Sequence, residues 1–216
     1  PWMAVAERTG LVRRIDRWVC ERAIDHLAAD RLEAAAVNLS GLSLSDELIL
    51  NAIEAKLESA GVDPARLTIE VTETAAISNL TAARDFVERL RSLGCALALD
   101  DFGAGFGSFY YLKYLPFDHL KIDGEFVANC DTDPADQAII RSIVDIAREL
   151  GTEVTAERVQ SQEVLETIRE LGVTHAQGYL LGRPAPLSSE TRPAGLRPIL
   201  PGSRTESSSP QSQLRR

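Results

Sequence analysis

Side chains able to hold cations or move protons recur along this chain, each at or near the end of a short run of small apolar residues. They are Asn38, Glu70 with Glu73 just beyond, Asp100 and Asp101, Lys121 and Asp123, Glu157, and Gln177, which falls early in its run. The donors are carboxylate and amide oxygens without a cysteine or histidine cluster, and hard oxygen donors favour Mg²⁺ or Mn²⁺ over zinc. Buried together, the carboxylates would repel one another unless a cation neutralised them. Any single acid could be a solvated surface charge, but repetition at successive strand ends points to a divalent-metal pocket. Lys121 is the second clue. Two residues apart on a strand, Lys121 and Asp123 share one side while Ile122 takes the other. A lysine there either pairs with the acids for structure or steers a phosphate or a metal-bound water.

The elements that must bring these residues together alternate in type. Over residues 11–29, Leu11, Ile15, Val19, Ala23 and Leu27 recur at helical spacing. Strands are expected at 34–39, 67–71, 96–99, 119–122, 153–156 and 176–181. Helices are expected at 45–60, with Gly61 as the stop signal, and at 80–93, 138–150 and 162–171, with a short one near 109–115. Such alternation makes a parallel α/β sheet covered by helices, in which the C-terminal ends of the strands surround the functional pocket. Two architectures satisfy it: an open doubly wound sheet or a (β/α)₈ barrel. An intact barrel has eight strands and about 250 residues; six strands make a barrel with pieces missing.

Composition narrows the function classes. The chain has 216 residues, 44% hydrophobic and 25% charged, as expected for one soluble globular domain plus a tail. Its formal charge of −9 disfavours binding to DNA or RNA backbones, although metal ions could mediate contact with a phosphorylated ligand. No apolar run is long enough for a membrane segment, and no secretory leader is expected. Cys20, Cys95 and Cys130 are widely spaced and lack a CxxC pair, which suits a reducing cytoplasm rather than a disulfide framework or a zinc site.

Asp100-Asp101-Phe102-Gly103-Ala104-Gly105-Phe106-Gly107-Ser108 superficially resembles a dinucleotide-binding loop. Ser108 stands where the last glycine of that fingerprint belongs, and no P-loop lysine follows. The glycines are better read as tight turns that place the two aspartates. His26 is expected on a helix surface, and His119 and His175 as packing or edge residues. Neither Ser40 nor Cys95 has a base partner that would support nucleophilic catalysis.

Taken in order, Asn38-Leu39-Ser40, Glu70-Val71-Thr72-Glu73, Asp100-Asp101-Phe102-Gly103-Ala104-Gly105, Lys121-Ile122-Asp123, Ala156-Glu157 and Gln177-Gly178-Tyr179 resemble the EAL domain, a family of bacterial cyclic di-GMP phosphodiesterases. The resemblance covers residues 1–187, leaving 188–216 as a flexible tail poor in apolar periodicity. It implies an α/β, TIM-like (β/α) barrel that hydrolyses cyclic di-GMP to pGpG with two Mg²⁺ or Mn²⁺ ions. By resemblance, Asn38, Glu70 and Asp100 are metal ligands and Asp101 is the ligand of the second metal. Lys121 helps hold the attacking water, and Glu157 is the general base. Gln177 belongs to the surrounding hydrogen-bond network, and Glu73 fixes the Asp-Asp-Phe-Gly loop, a region linked to dimerisation. A homodimer, or an upstream GGDEF or sensory domain, is the implied partner.

Three departures from the family pattern bear on activity. No Glu-Ala-Leu motif occurs, and residues 2–11 resemble the part of the domain that follows it, so the chain reads as truncated before its first strand. Arg158 stands in place of a glycine, which strains a turn needing positive φ but adds a cation able to hold a phosphate. Gln160 replaces a carboxylate. These changes motivate a second reading, a non-catalytic domain that senses cyclic di-GMP or binds a protein. The residues alone also admit an enolase-type barrel, in which strand-end acids hold Mg²⁺ and a lysine removes a proton.

Overall fold

The computed structural model describes residues 2–78, 80–103, 111–186 and 197–198. Strands β1 (Ala35–Leu39), β2 (Leu67–Thr72), β3 (Ala96–Phe102), β4 (His119–Ile122), β5 (Glu153–Ala156) and β6 (His175–Ala176) pair in parallel in sequence order. A doubly wound sheet would reverse its order partway. The sequential order is that of a barrel wall, and it decides between the two expected architectures. Among the described residues no pairing joins β1 to the far edge, so the inner face stays open along β1.

Helices α1 (Trp2–Thr9), α2 (Val12–Ala28), α3 (Glu47–Ala60), α4 (Glu73–Ser78), α5 (Leu80–Leu93), α6 (Gly124–Val127), α7 (Pro134–Leu150) and α8 (Gln162–Glu170) complete the architecture. In α7, Ile140, Ile143, Val144 and Ala147 are buried at i, i+3, i+4 and i+7. Its start is fixed by Asp133, whose side chain accepts from Ala135 N at 2.8 Å, and by Pro134; its end is fixed by Gly151 in the left-handed region at φ +70°. Each large apolar side chain so buried contributes about 1.5–3 kcal/mol. Among the described residues no helix is long and apolar enough to cross a membrane.

Strand alternation gives the sheet two unlike faces. Val37, Leu39, Ile69, Val71, Leu97, Leu99, Leu120, Ile122, Val154 and Ala156 are buried in the core. The alternate set contains Asn38, Glu70, Asp100, Lys121 and Thr155, so the polar groups line the inner wall. Exposure follows position. Lys121 and Thr155 on central strands are buried, whereas Ala36 and Asn38 on edge strand β1 are exposed.

Several boundaries differ from expectation. The last strand covers only His175–Ala176, and residues 178–182 form a turn, with Leu181 N and Gly182 N both donating to Gly178 O. Gly178 packs so tightly that a Cβ there would overlap the Val159 backbone, a requirement that apolar periodicity does not reveal. The short helix near 109–115 is a 3₁₀ turn at Tyr111–Lys113, and residues 104–110 of the glycine-rich loop lie outside the described residues. Within the expected tail, Arg197–Pro198 forms strand β7 and pairs antiparallel with β6; the remainder of 188–216 lies outside the described residues.

Helix α2 ties the end of β1 through Asp16, 5% exposed. Its carboxylate accepts from Ser40 N at 3.0 Å, Ser40 Oγ at 2.7 Å and Ser43 Oγ at 2.6 Å. Ser40 thus has a carboxylate partner that the sequence reading did not find, one shared with Ser43 in a structural cluster. Replacing Asp16 with Ala strands these donors and is expected to lower the unfolding free energy by about 2–4 kcal/mol, read from the urea midpoint.

Candidate active site and metal centre

The strand ends converge on one ammonium. Lys121 Nζ lies 2.8 Å from Glu70 Oε2, 2.9 Å from Asp100 Oδ1 and 2.8 Å from Glu157 Oε1, its side chain 5% exposed. Burial by itself would lower the lysine pKa, but the Glu70 and Glu157 carboxylates outweigh it and hold the value above the ordinary range. Three acids from β2, β3 and the end of β5 therefore meet one cation from β4.

Asp100, Asp101 and Glu157 form a second grouping, each offering an oxygen within 4.8 Å of the others. Burial raises the Asp101 pKa, reinforced by Asp100 and Asp123 and opposed by Lys121 and Arg158. Burial likewise raises Glu157, partly offset by Lys121. Carboxylates so crowded resist ionisation until a cation joins them. The donor set is entirely hard oxygen and already gathers around an ammonium, so these residues fit a divalent metal ion. Asn38 sits in register with Glu70 on the neighbouring strand.

The remaining candidates differ in what they touch. Glu73, 3% exposed, accepts from Gly103 N at 3.1 Å, tying the start of α4 to the end of β3. Asp101 takes φ +55° and Gly103 φ +99°, so the backbone turns sharply where two consecutive aspartates are presented. Asp123 does not share the strand with Lys121 as expected. β4 stops at Ile122, and Asp123 caps α6, its Oδ1 accepting from Glu125 N at 2.6 Å. Its charge still reaches Asp101. Gln177 follows β6 rather than lying inside a strand; its backbone N donates to Ala156 O at 2.9 Å, and among the described residues its side chain makes no hydrogen bond.

His26 is half-buried on α2. His119 and His175 lie at the opposite ends of their strands from Lys121 and Gln177, where both approach Glu153 Oε2, at 3.3 Å and 3.7 Å. They take no part in the acidic mouth. Cys20, Cys95 and Cys130 are buried and free, and burial pushes their thiols up to about 12, 11 and 11. Sequence reasoning missed Asp16 because it put the apolar face of this helix on Leu11, Ile15, Val19, Ala23 and Leu27, whereas the buried positions are Val12, Asp16, Cys20, Ile24 and Leu27, with Leu11 exposed.

A helix-covered parallel barrel wall that gathers four carboxylates and a buried lysine at its C-terminal mouth defines a metal-competent α/β-barrel domain. The family model described as EAL domain matches residues 2–184, and the chain belongs to that family. It is 39% identical over 192 residues to the cyclic di-GMP phosphodiesterase PdeB of Shewanella oneidensis, covering 87% of this chain and 22% of PdeB. It is 36% identical over 190 residues to the cyclic di-GMP phosphodiesterase PdeF of Escherichia coli, covering 86% and 25%. The chain thus spans about a quarter of these curated relatives.

Among solved structures, the PaMucR phosphodiesterase in complex with c-di-GMP superposes with TM-score 0.81 at 35% identity, covering 86% of this chain and 83% of that one. The Xanthomonas citri FimX EAL domain in complex with c-diGMP gives 0.82 at 28% identity, covering 88% and 77%. Family membership sets the enolase-type reading aside, and the joint presence of Asp100 and Asp101 in one acidic group agrees with that.

Proposed function

We propose that this chain is the phosphodiesterase domain of a longer signalling protein and hydrolyses cyclic di-GMP to pGpG. The observation that carries the reading is the meeting of Glu70, Asp100 and Glu157 on Lys121, at the mouth of an EAL domain. Asn38, Glu70, Asp100 and Asp101 are the residues we assign to two Mg²⁺ or Mn²⁺ ions. Bound there, such ions would lower the pKa of a water and neutralise the phosphate.

The protein's own groups do the rest. Glu157 takes the proton of the attacking water, and Lys121, whose three N–H groups are shared by Glu70, Asp100 and Glu157, would turn one of them to the water's oxygen when the ions take up Glu70 and Asp100. A 5′-phosphate on pGpG requires that the new bond form from water oxygen to phosphorus and that the P–O3′ bond break, the ribose O3′ leaving in line and gaining a proton. Glu73, by holding Gly103, supports the backbone that presents Asp100 and Asp101, and is the residue we place nearest a homodimer contact. Asp123 supports by capping α6, and Gln177 by pinning the loop after β5. We assign residues 1–187 to the domain and 188–216 to a tail whose Arg197–Pro198 segment pairs with β6. A GGDEF or sensory domain elsewhere in the protein fits the short coverage of the relatives, one of which is a bifunctional diguanylate cyclase/cyclic di-GMP phosphodiesterase. The free, buried cysteines fit a cytoplasmic location.

Incubating the whole protein with cyclic di-GMP and Mn²⁺ should yield pGpG by chromatography, and chelation should abolish it. The Arg158 and Gln160 replacements favour one alternative, a sensor that binds without cleaving. Calorimetric binding of cyclic di-GMP with no pGpG formed would select it.

A further inference from the structure

Arg158 follows Glu157 and is held at φ +54°, a region that L side chains rarely adopt and glycine enters freely. Its neighbours impose that conformation. Glu157 N donates to Ile122 O at 3.4 Å, and Val159 N donates to Gln177 O at 3.0 Å. On the Val159 side, the close approach of Gly178 leaves the loop no room to relax.

The arginine is exposed, yet its stem has a seat. It lies across Gly124, the first residue of α6, where a Cβ would collide with Arg158 Cγ, Cδ and Nε. Among the described residues the guanidinium makes no hydrogen bond or ion pair. Lys121 contrasts with it, because three carboxylates already share that ammonium. The charge of Arg158 nevertheless reaches Asp101, so the free cation stands at the rim of the acidic mouth.

We propose that Arg158 is a ligand-binding residue that grips a phosphate of the bound dinucleotide at the rim of the mouth, setting affinity rather than rate. The inference rests on the cyclic di-GMP reading of the pocket. That ligand carries two phosphodiesters. The one being cleaved must lie against Glu157 and the buried Lys121. A guanidinium seated outside them on Gly124 is placed for the other. Its planar fork matches two phosphate oxygens, and an anionic ligand entering an acid-lined mouth needs such a counter-charge.

The test uses cyclic di-GMP as the probe and the whole protein, with Kd from calorimetry and KM and kcat from pGpG formation. Arg158→Ala should weaken binding about tenfold, as loss of one charge-assisted pair implies, with kcat held within about twofold. Arg158→Lys should recover part of the affinity. Gly124→Ala, which dislodges the stem without touching the charge, should shift Kd in the same direction as Arg158→Ala. Arg158→Gly should raise the melting temperature by about 2–4 °C through relief of the backbone while losing affinity like Arg158→Ala. Unchanged Kd in Arg158→Ala and Arg158→Gly overturns the assignment and leaves the proposed function intact. A wild type that neither binds nor cleaves cyclic di-GMP overturns both.

Discussion

Replacing Lys121 with Met is expected to lower kcat for cyclic di-GMP hydrolysis by about 10²–10³-fold and to destabilise the domain by about 3–5 kcal/mol at neutral pH. Both effects come from one geometry. Glu70, Asp100 and Glu157 each place an oxygen 2.8–2.9 Å from Nζ, and the side chain is 5% exposed. Methionine fills a similar volume but leaves three inward-facing carboxylates without a counter-charge. The fold would then be stable only with those groups protonated or with a divalent ion among them. Thermal melts with and without Mn²⁺ separate the roles: the ion should restore much of the lost stability, because it replaces the missing positive charge. It should not restore turnover, because the donor that orients water is still absent. A variant with wild-type kcat would sink the catalytic role of Lys121, and one with unchanged stability would sink the electrostatic one.

The same cluster shows how far the residues could be read before any coordinates. Carboxylates and an amide at the ends of short apolar runs indicate a shared mouth, because a parallel sheet brings its C-terminal strand ends to one side. The register then places Asn38 beside Glu70 and aligns Thr72 with Asp100. Long amphipathic helices such as α7 were legible by their periodicity, although α7 begins at Pro134 behind its Asp133 cap, four residues before the expected start at 138. What escaped depends on contacts distant in the chain. Asp123 reads as a strand residue by parity, yet the strand stops one residue earlier because its carboxylate caps α6. The run 176–181 reads as a strand by composition, but Gly178 must press against Val159, and the chain turns there instead. Asp16 serves Ser40 and Ser43, and the separation of 24 and 27 residues along the chain hid the partnership. Arg158 is the opposite case. A glycine position filled by arginine predicts positive φ, and the backbone takes it at +54°.

Glu157→Gln should have the next largest effect, a fall in kcat of about 10²–10⁴-fold with cyclic di-GMP affinity changed only a few-fold. The amide keeps the shape of the side chain, and its oxygen can still accept from Lys121, so binding geometry survives while the proton acceptor is lost. Stability separates this variant sharply from Lys121→Met. Burial holds the Glu157 pKa above its ordinary value, with Lys121 only partly offsetting it. A carboxyl whose folded pKa is raised contributes stability below its ordinary pKa and loses that contribution as pH rises through the raised value. As pH rises the wild type gives up that contribution, whereas a neutral glutamine does not incur the cost. Glu157→Gln should therefore melt no lower than wild type at pH 7, whereas at pH 4 any advantage should vanish. Single-turnover pGpG formation, calorimetry and melts at the two pH values together check the assignment. Equal loss of binding and turnover would identify Glu157 as a ligand-holding residue instead, and Lys121 would then act with a base supplied from elsewhere in the mouth.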